Sequence, residues 1–127
     1  MKPIDYLLKF DKEFYYPIKR GIKTSTIRKN SKPMRVGDYV VAYFPDLKKG
    51  ILLNVTEHYV KRLNDLSYKE AKTEGFYHND ILKHTLRGIY PDLNDDDYVY
   101  YYEFENQSPS KRVVNDFLRE RGIEVEL

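Results

Sequence analysis

A short run of residues, Gly21 to Arg28, carries three hydroxyl side chains between cationic ones, a pattern that suits anion binding or nucleophilic chemistry. It lies within residues 14–37, which contain seven cationic residues and no acidic one. Elsewhere acids and bases are mixed, and the net charge of the whole chain is only +2. This local positive field can hold an anion, or it can help to activate a hydroxyl as a nucleophile.

Lys23 and Thr26 are the candidates for a base and a nucleophile. A neutral lysine amine can deprotonate a hydroxyl, and a nearby carboxylate can orient the amine or shuttle protons. In a continuous strand these two side chains point to opposite faces, because they are three positions apart. They can converge if Lys23 lies in the turn at Gly21 and only Thr24 onward is extended. Spacing alone favours the simpler alternative, a solvated lysine and a threonine chosen for its β propensity.

The other polar residues of this region are candidates for binding a substrate. Arg28 can hold an oxyanion, a phosphate or a carbonyl through its planar guanidinium. The basic segment can also neutralise phosphates, and nearby aromatic rings can stack on the bases of single-stranded RNA. A solvated charged surface explains the same pattern equally well. The candidate substrate-binding residues are Thr24, Ser25, Arg28, Lys29 and Arg35.

Composition limits the classes of protein that this chain can represent. Its 127 residues are enough for one domain with a core that needs no disulfide or metal. Cysteine is absent, which excludes thiolate catalysis and cysteine-based zinc sites. The three histidines lack the i, i+4 spacing of helical metal ligands. We therefore expect neither a metal nor a cofactor.

Hydropathy argues against a membrane partner. No stretch approaches the roughly 20 apolar residues that a membrane-spanning helix needs. The first residues also lack the apolar run of a signal sequence. We expect a cytoplasmic protein, and a monomer is the favoured oligomeric state.

The predicted elements are mostly strands joined by short helices. Strands are predicted at residues 4–10, 24–28, 39–44, 51–60 and 98–105, and residues 123–127 could add an edge strand. A short helical element follows Asp11, and a helix with a Ser67–Glu70 capping box ends at Gly75. This order has no βαβ rhythm, so it indicates an α+β protein with a small mixed β-barrel.

Two further helices complete the prediction. One runs from about Asp80 to Pro91, and its inner face is formed by Ile81, Leu82, Leu86 and Ile89. The last begins at Ser108 with Pro109 in its first position, ends at Gly122, and carries an apolar stripe of Val113, Val114, Phe117 and Leu118. The aromatic face of the strand at 98–105, formed by Tyr98, Tyr100, Tyr102 and Phe104, is more typical of core than of a surface that stacks bases.

Several motifs in order resemble the ASCH domain, a family of the PUA-like superfamily of small β-barrels. These are Gly21-x-Lys23-Thr24-x-Thr26-Ile27-Arg28, Val36-Gly37-Asp38, Glu70-Ala71-x-x-Glu74-Gly75-Phe76, Tyr90-Pro91 and the aromatic strand that closes the pattern. The resemblance predicts an ASCH domain in residues 1–105. Residues 106–127 fall outside it and are predicted to be a C-terminal helical extension packed on the same domain.

The resemblance also implies a function. ASCH domains are generally regarded as RNA- or nucleotide-binding modules with a cleft beside the Gly-x-Lys-Thr segment. One branch is similar to small bacterial amidohydrolases that remove the acyl group from N4-acetylcytidine, using a lysine, a threonine three residues later and a helical glutamate. The resemblance carries these catalytic roles to Lys23, Thr26 and Glu74. Many other members carry glutamate where Thr26 stands, so this threonine favours the enzymatic branch.

Two functions therefore stay open after the sequence is read. One is a hydrolase of N-acylated nucleosides, and the other is a non-catalytic module that binds single-stranded RNA. An endoribonuclease ranks below both, because the sequence has no persuasive histidine pair. The extra C-terminal helix could reshape the cleft, which leaves the identity of the substrate open.

Overall fold

A five-stranded mixed sheet is the framework of the computed structural model, which describes residues 3–107 and 111–126. The strands are β1 (Ile4–Lys9), β2 (Ser25–Arg28), β3 (Tyr39–Phe44), β4 (Lys49–Arg62) and β5 (Tyr98–Asn106). Their order is β1-β3-β4-β5-β2; β1 and β3 are parallel and the other neighbours are antiparallel. The helices are α1 (Tyr15–Lys19), α2 (Tyr68–Glu74), α3 (Asn79–Ile89) and α4 (Lys111–Glu120). The α+β class predicted from the sequence is confirmed.

The two edge strands, β1 and β2, are joined by a side chain rather than by a ladder. Within the described ranges no backbone pairing connects them, so the closure of a complete barrel is not seen there. Instead Arg28, at the end of β2, donates from Nη2 to the carbonyl of Lys9 over 3.2 Å. Its guanidinium also lies 4.9 Å from the centre of the Phe10 ring, a cation–π contact. Arg28 thus bridges the gap between the edges.

Apolar side chains cover both faces of the sheet because β3 and β5 alternate buried residues on either side. Val40, Ala42 and Phe44 pack in one cluster with α1, whereas Val41 and Tyr43 pack under α4. On β5, Tyr102 and Phe104 belong to the α1 side, and Val99 and Tyr101 pack under α2 and α3. The aromatic face of β5 is therefore core at Tyr102 and Phe104, although Tyr98 is exposed.

Helix α3 differs from its predicted inner face at two positions. Leu82 and Leu86 are buried, but Ile81 and Ile89 are 46% and 56% exposed. Ile81 precedes Leu82 by one residue, and one residue turns the side chain about 100° around a helix. Ile89 is the last residue of α3, where it lies at the wall of a cleft instead of in the core.

The C-terminal region packs on the sheet without adding a strand to it. The predicted edge strand is wrong, because residues 123–126 form no strand. Within the described residues, a single backbone hydrogen bond, from Glu126 N to Lys48 O, joins this segment to the β3–β4 connection. Ile123 and Val125 instead pack beside α4. In α4, Val114, Phe117 and Leu118 are buried and Val113 is half-buried. The predicted cap at Ser108 and Pro109 lies outside the described residues.

Gly50 tests how tightly α4 packs on the sheet. A β-carbon there would lie 2.8 Å from Val114 Cγ1 and 2.9 Å from Val41 Cγ1, too close for either atom to stay in place. We expect Gly50→Ala to lower the free energy of unfolding by about 1–3 kcal/mol, measured by chemical denaturation. Gly88→Ala is the control: its β-carbon meets nothing within 4 Å, so alanine should stabilise helix α3 by up to about 1 kcal/mol. Equal effects of the two changes would contradict this account of the packing.

Candidate functional site

Lys23 lies in the loop before β2, which is held at both ends by backbone hydrogen bonds. Gly21 adopts φ +74°, and the amides of Ile22 and Lys23 both donate to the carbonyl of Pro17, at 2.9 and 3.0 Å. The next residue, Thr24, donates from its amide to the carbonyl of Thr73 in α2 over 2.7 Å. The loop therefore places Lys23 against α2, while the extended backbone begins only at Ser25.

Glu74 is the last residue of α2 and meets Lys23 in a buried ion pair. The confirmed Ser67–Glu70 capping box starts this helix, and Gly75 ends it at φ +91°. Lys23 Nζ lies 2.5 Å from Glu74 Oε2, and the two side chains are only 8% and 5% exposed. The ammonium also lies 5.2 Å from the centre of the Phe14 ring. Two charges are thus held together in an environment with little water.

Thr26 belongs to a second pair in the same cleft. Its Oγ1 accepts a hydrogen bond of 2.9 Å from Arg28 Nε. Burial lowers the pKa of the Arg28 guanidinium, while Tyr90 and Glu74 act in the opposite direction; the group remains a cation. Among the described residues no hydrogen bond joins Lys23 to Thr26. The three residues to which the resemblance assigns catalytic roles therefore share one cleft, but only two of them are in direct contact.

The cleft itself has the size and lining of a small-molecule site. Its volume is about 380 Å³, within the range of ligand pockets. Its walls combine the polar groups of Lys23, Thr26, Arg28 and Glu74 with aromatic and aliphatic side chains, namely Phe10, Phe14, Phe76, Leu82, Leu86, Ile89 and Tyr90. Such a surface can hold a flat ring while the polar groups contact one reacting end.

The remaining predicted binding residues lie outside this lining. Ser25 is fully buried behind the ion pair, and its hydroxyl donates to Glu74 Oε2 over 2.9 Å. Thr24 uses its carbonyl to accept from Phe104 N, and Arg35 is exposed in the loop before β3. Lys29 pairs with Asp92 over 2.8 Å, a contact that raises the pKa of the Lys29 ammonium.

Glu70, the second buried carboxylate of α2, is held by hydrogen bonds within the fold and does not line the cleft. Burial alone would raise its pKa, but hydrogen bonds from Tyr59 OH at 2.6 Å and Ser67 N at 2.7 Å bring it below the usual range. The Ser67 hydroxyl and Lys61 also donate to it. Burial and the Glu70 carboxylate in turn raise the pKa of Tyr59. Glu70 therefore anchors the start of α2, whereas Glu74 at its end faces the cleft.

The sequence reasoning missed a second cleft, of about 370 Å³, between α1, the β3–β4 hairpin and α4. Four lysines and one glutamate contribute its charges: Lys19, Lys48, Lys49, Lys111 and Glu126. These residues come from distant parts of the chain, so no cluster of basic residues in the sequence predicts this surface. Tyr15 forms part of the wall, with the ammonium groups of Lys19 and Lys49 at 5.3 and 5.5 Å from the centre of its ring.

The described residues contain neither a metal-binding cluster nor a membrane-spanning helix. Within residues 3–107 and 111–126 no group of three or more histidine, cysteine or acidic side chains is placed to hold a metal ion. In the same part of the chain, no helix combines the length and apolar character needed to cross a bilayer.

Solved structures define the fold that these elements build. No family model and no curated protein matches the sequence. The ASCH domain of Lactobacillus crispatus superposes with a TM-score of 0.67 at 17% identity, covering 80% of this chain and 78% of that one. A protein of Enterococcus faecalis gives 0.65 at 15% identity over 84% and 78%, and the ASCH protein of Zymomonas mobilis 0.63 at 15% over 81% and 68%. The chain therefore has the ASCH, or PUA-like, fold, as the motifs predicted.

The buried pair gives a test of stability. Glu74→Leu leaves a buried ammonium without its counter-charge, and Lys23→Met leaves a buried carboxylate. We expect each to lower the free energy of unfolding by about 3–5 kcal/mol, and Lys23→Met/Glu74→Leu to lose less than the sum of the single changes. Lys29→Met, which removes the exposed pair with Asp92, serves as the control and should leave stability nearly unchanged. Additive losses in denaturation curves would show that Lys23 and Glu74 do not interact.

Proposed function

We propose that the cleft binds an N-acylated nucleoside and hydrolyses its amide bond. Thr26 is the nucleophile, Lys23 is the base, and Glu74 orients Lys23 and moves protons. The observation that carries the proposal is the buried Lys23–Glu74 pair, 2.5 Å long, in a cleft that Thr26 also lines. The resemblance to N4-acetylcytidine amidohydrolases assigns roles to the same three positions.

The lining of the cleft suits such a ligand. A nucleobase is flat and apolar on its faces, so it can lie against aromatic side chains such as Phe76 and Tyr90. The acyl oxygen needs hydrogen-bond donors where negative charge develops. Arg28 uses one N–H for Thr26 and one for the carbonyl of Lys9, and its remaining N–H groups can donate to that oxygen.

The proposed reaction proceeds in two halves. Lys23, after passing a proton to Glu74, takes the proton of the Thr26 hydroxyl as its oxygen attacks the acyl carbon. The carbon–nitrogen bond then breaks, and the leaving amine receives a proton from Lys23. Water next attacks the acyl ester on Thr26 and gives one proton to Lys23, which returns it to the threonine oxygen as the ester bond breaks. The carboxylic acid then passes its own proton to Lys23 and leaves as a carboxylate, so the Lys23–Glu74 pair holds one proton more than at the start. For this, the Lys23 amine turns from Glu74 towards Thr26.

The direct test is deacetylation of N4-acetylcytidine. We expect the wild-type protein to release cytidine and acetate, and Thr26→Val and Lys23→Met to lose at least about a hundredfold in kcat, because each removes a group that acts in the transition state. Thr56→Val, a matched change in β4 outside the cleft, should retain activity. Absence of deacetylation by the wild-type protein, or activity that survives both cleft substitutions, rejects the proposal.

RNA binding without catalysis is the second candidate, and the lysine-lined cleft is the observation that favours it. Lys48 is paired with Glu124 over 3.0 Å, but Lys19, Lys49 and Lys111 against the one glutamate of the lining give this surface a positive field that can neutralise phosphates. The predicted basic segment contributes less than its composition indicates, because Lys29 is paired with Asp92 and Lys23 is buried in its pair with Glu74. A binding module of this kind would place RNA away from the Lys23–Glu74 pair.

Salt dependence separates the two candidates. If the lysine-lined cleft binds RNA, affinity for a short single strand should fall steeply with added salt, since phosphate contacts release counterions. The triple change of Lys19, Lys49 and Lys111 to glutamine should weaken binding and flatten the salt slope. The matched triple at Lys69, Lys72 and Lys83, on α2 and α3, should not. Affinity that is independent of salt, or equal loss in both triples, would count against RNA binding at this cleft.

A further inference from the structure

A row of hydroxyl groups leads from Glu74 away from the cleft and ends at a second carboxylate. Ser25 Oγ lies 2.9 Å from Glu74 Oε2 and 2.9 Å from Thr73 Oγ1. Thr73 Oγ1 lies 2.9 Å from Tyr101 OH, which donates to Glu103 Oε1 over 2.5 Å. Ser25 and Tyr101 are fully buried, whereas Glu103 is half-buried on β5. The row therefore connects the buried ion pair to the surface.

The row has one hydrogen-bonded contact more than it has hydroxyl protons. Its four contacts join three hydroxyls, which carry one proton each, to two carboxylates, which carry none when ionised. Four contacts need four protons, so with both carboxylates ionised one contact has no proton. One additional proton on either carboxylate completes the set. The hydroxyls then all donate toward Glu74 if Glu103 holds that proton, and toward Glu103 if Glu74 holds it.

We propose that Ser25, Thr73, Tyr101 and Glu103 form a proton relay between Glu74 and solvent. A proton that leaves Glu74 enters the row at Ser25; each hydroxyl accepts one proton and passes on its own, and Glu103 releases one to water. No bond other than O–H forms or breaks, and only the direction of the four hydrogen bonds reverses. These residues act through Glu74 and lie outside the lining of the cleft.

The relay deepens the proposed hydrolysis and rests on it. Hydrolysis of an amide to a carboxylate and an uncharged aromatic amine releases one proton per turnover. Glu74 is only 8% exposed, and a bound ligand fills the cleft that it faces. The proton therefore needs a second exit, which the row provides on the opposite side of the ion pair.

Two neighbouring contacts bear on the row. Thr73 Oγ1 can also donate to the carbonyl of Glu70, at 3.2 Å, so this carbonyl competes with Ser25 and Tyr101 for the Thr73 proton. Tyr101 keeps its proton between transfers, since burial and the Glu103 carboxylate raise the pKa of its phenol. A phenol that stays protonated can pass a proton on only as it receives another.

Other charged groups lie near both ends of the hydroxyl row, Glu74 and Glu103. Those that line the cleft with Glu74 are Lys9, Asp11, Lys23, Arg28, Asp46 and the phenol of Tyr90. At the other end, Glu57 lies opposite Glu103 in the β4–β5 register and is paired with Lys69. Any test must therefore separate transfer along the row from the field of these charges.

The first experiment measures turnover of N4-acetylcytidine. We expect Tyr101→Phe, Thr73→Val and Glu103→Gln to lower kcat at least about tenfold with KM unchanged, because they interrupt proton exit without touching the cleft. Thr73→Ser keeps the hydroxyl and should retain kcat. A loss of kcat in Thr73→Ser equal to that in Thr73→Val, or a rise in KM without a fall in kcat, would show a merely structural role.

The second experiment needs no activity, so it separates failure of the relay from failure of the proposed function. The carboxyl carbon of Glu74 is followed by ¹³C NMR through a pH titration. Protonation of Glu103 turns the Tyr101 hydroxyl toward Thr73 and the Thr73 hydroxyl toward Ser25, so the Ser25 proton is no longer divided between Thr73 and Glu74 but is committed to Glu74. The Glu74 resonance should therefore show a step at the titration of Glu103. That step should vanish in Tyr101→Phe and persist in Thr73→Ser. A step that is missing in the wild-type protein, or that survives Tyr101→Phe through the field alone, overturns the relay.

Discussion

The buried ion pair between Lys23 and Glu74 is the constraint around which this structure is arranged. Two opposite charges with little access to water are stable only while both are present and their remaining hydrogen-bonding capacity is met. The loop at Gly21, the left-handed end of α2 at Gly75 and the Ser25 hydroxyl all serve that requirement. The same arrangement places an amine and a carboxylate at the wall of a cleft, so the demands of folding and of chemistry coincide there.

The local features of the fold could be predicted because they depend on neighbouring residues. The capping box at Ser67, the turn at Gly21 and the limits of β3 follow from backbone preferences that act within a few positions. The closure of the sheet could not be predicted in this way. Whether β1 and β2 form a ladder depends on how far apart the rest of the sheet holds them, and here Arg28 spans the distance.

In the candidate site, too, local features could be predicted from the sequence and contacts between distant residues could not. The resemblance singled out Lys23, Thr26 and Glu74, and all three line one cleft. Strand periodicity places Thr26 and Arg28 on one face, so their contact could be expected from the sequence. That Lys23 meets Glu74 and not Thr26 could not be expected, since it depends on how the loop at Gly21 packs against a helix whose Glu74 lies 51 positions from Lys23. Nor could the sequence show the contact of Ser25 with Thr73, residues 48 positions apart in the chain, because no periodicity links them.

Arg28 has a consequence for how this protein can vary. One side chain holds the end of β2 to the end of β1, lies over the Phe10 ring and contacts the hydroxyl of Thr26. A ligand that recruits its guanidinium must share it with the carbonyl of Lys9, so occupancy of the cleft and separation of the sheet edges are thermodynamically linked. Ligand preference and the resistance of the sheet edges to opening therefore cannot be altered independently at this position.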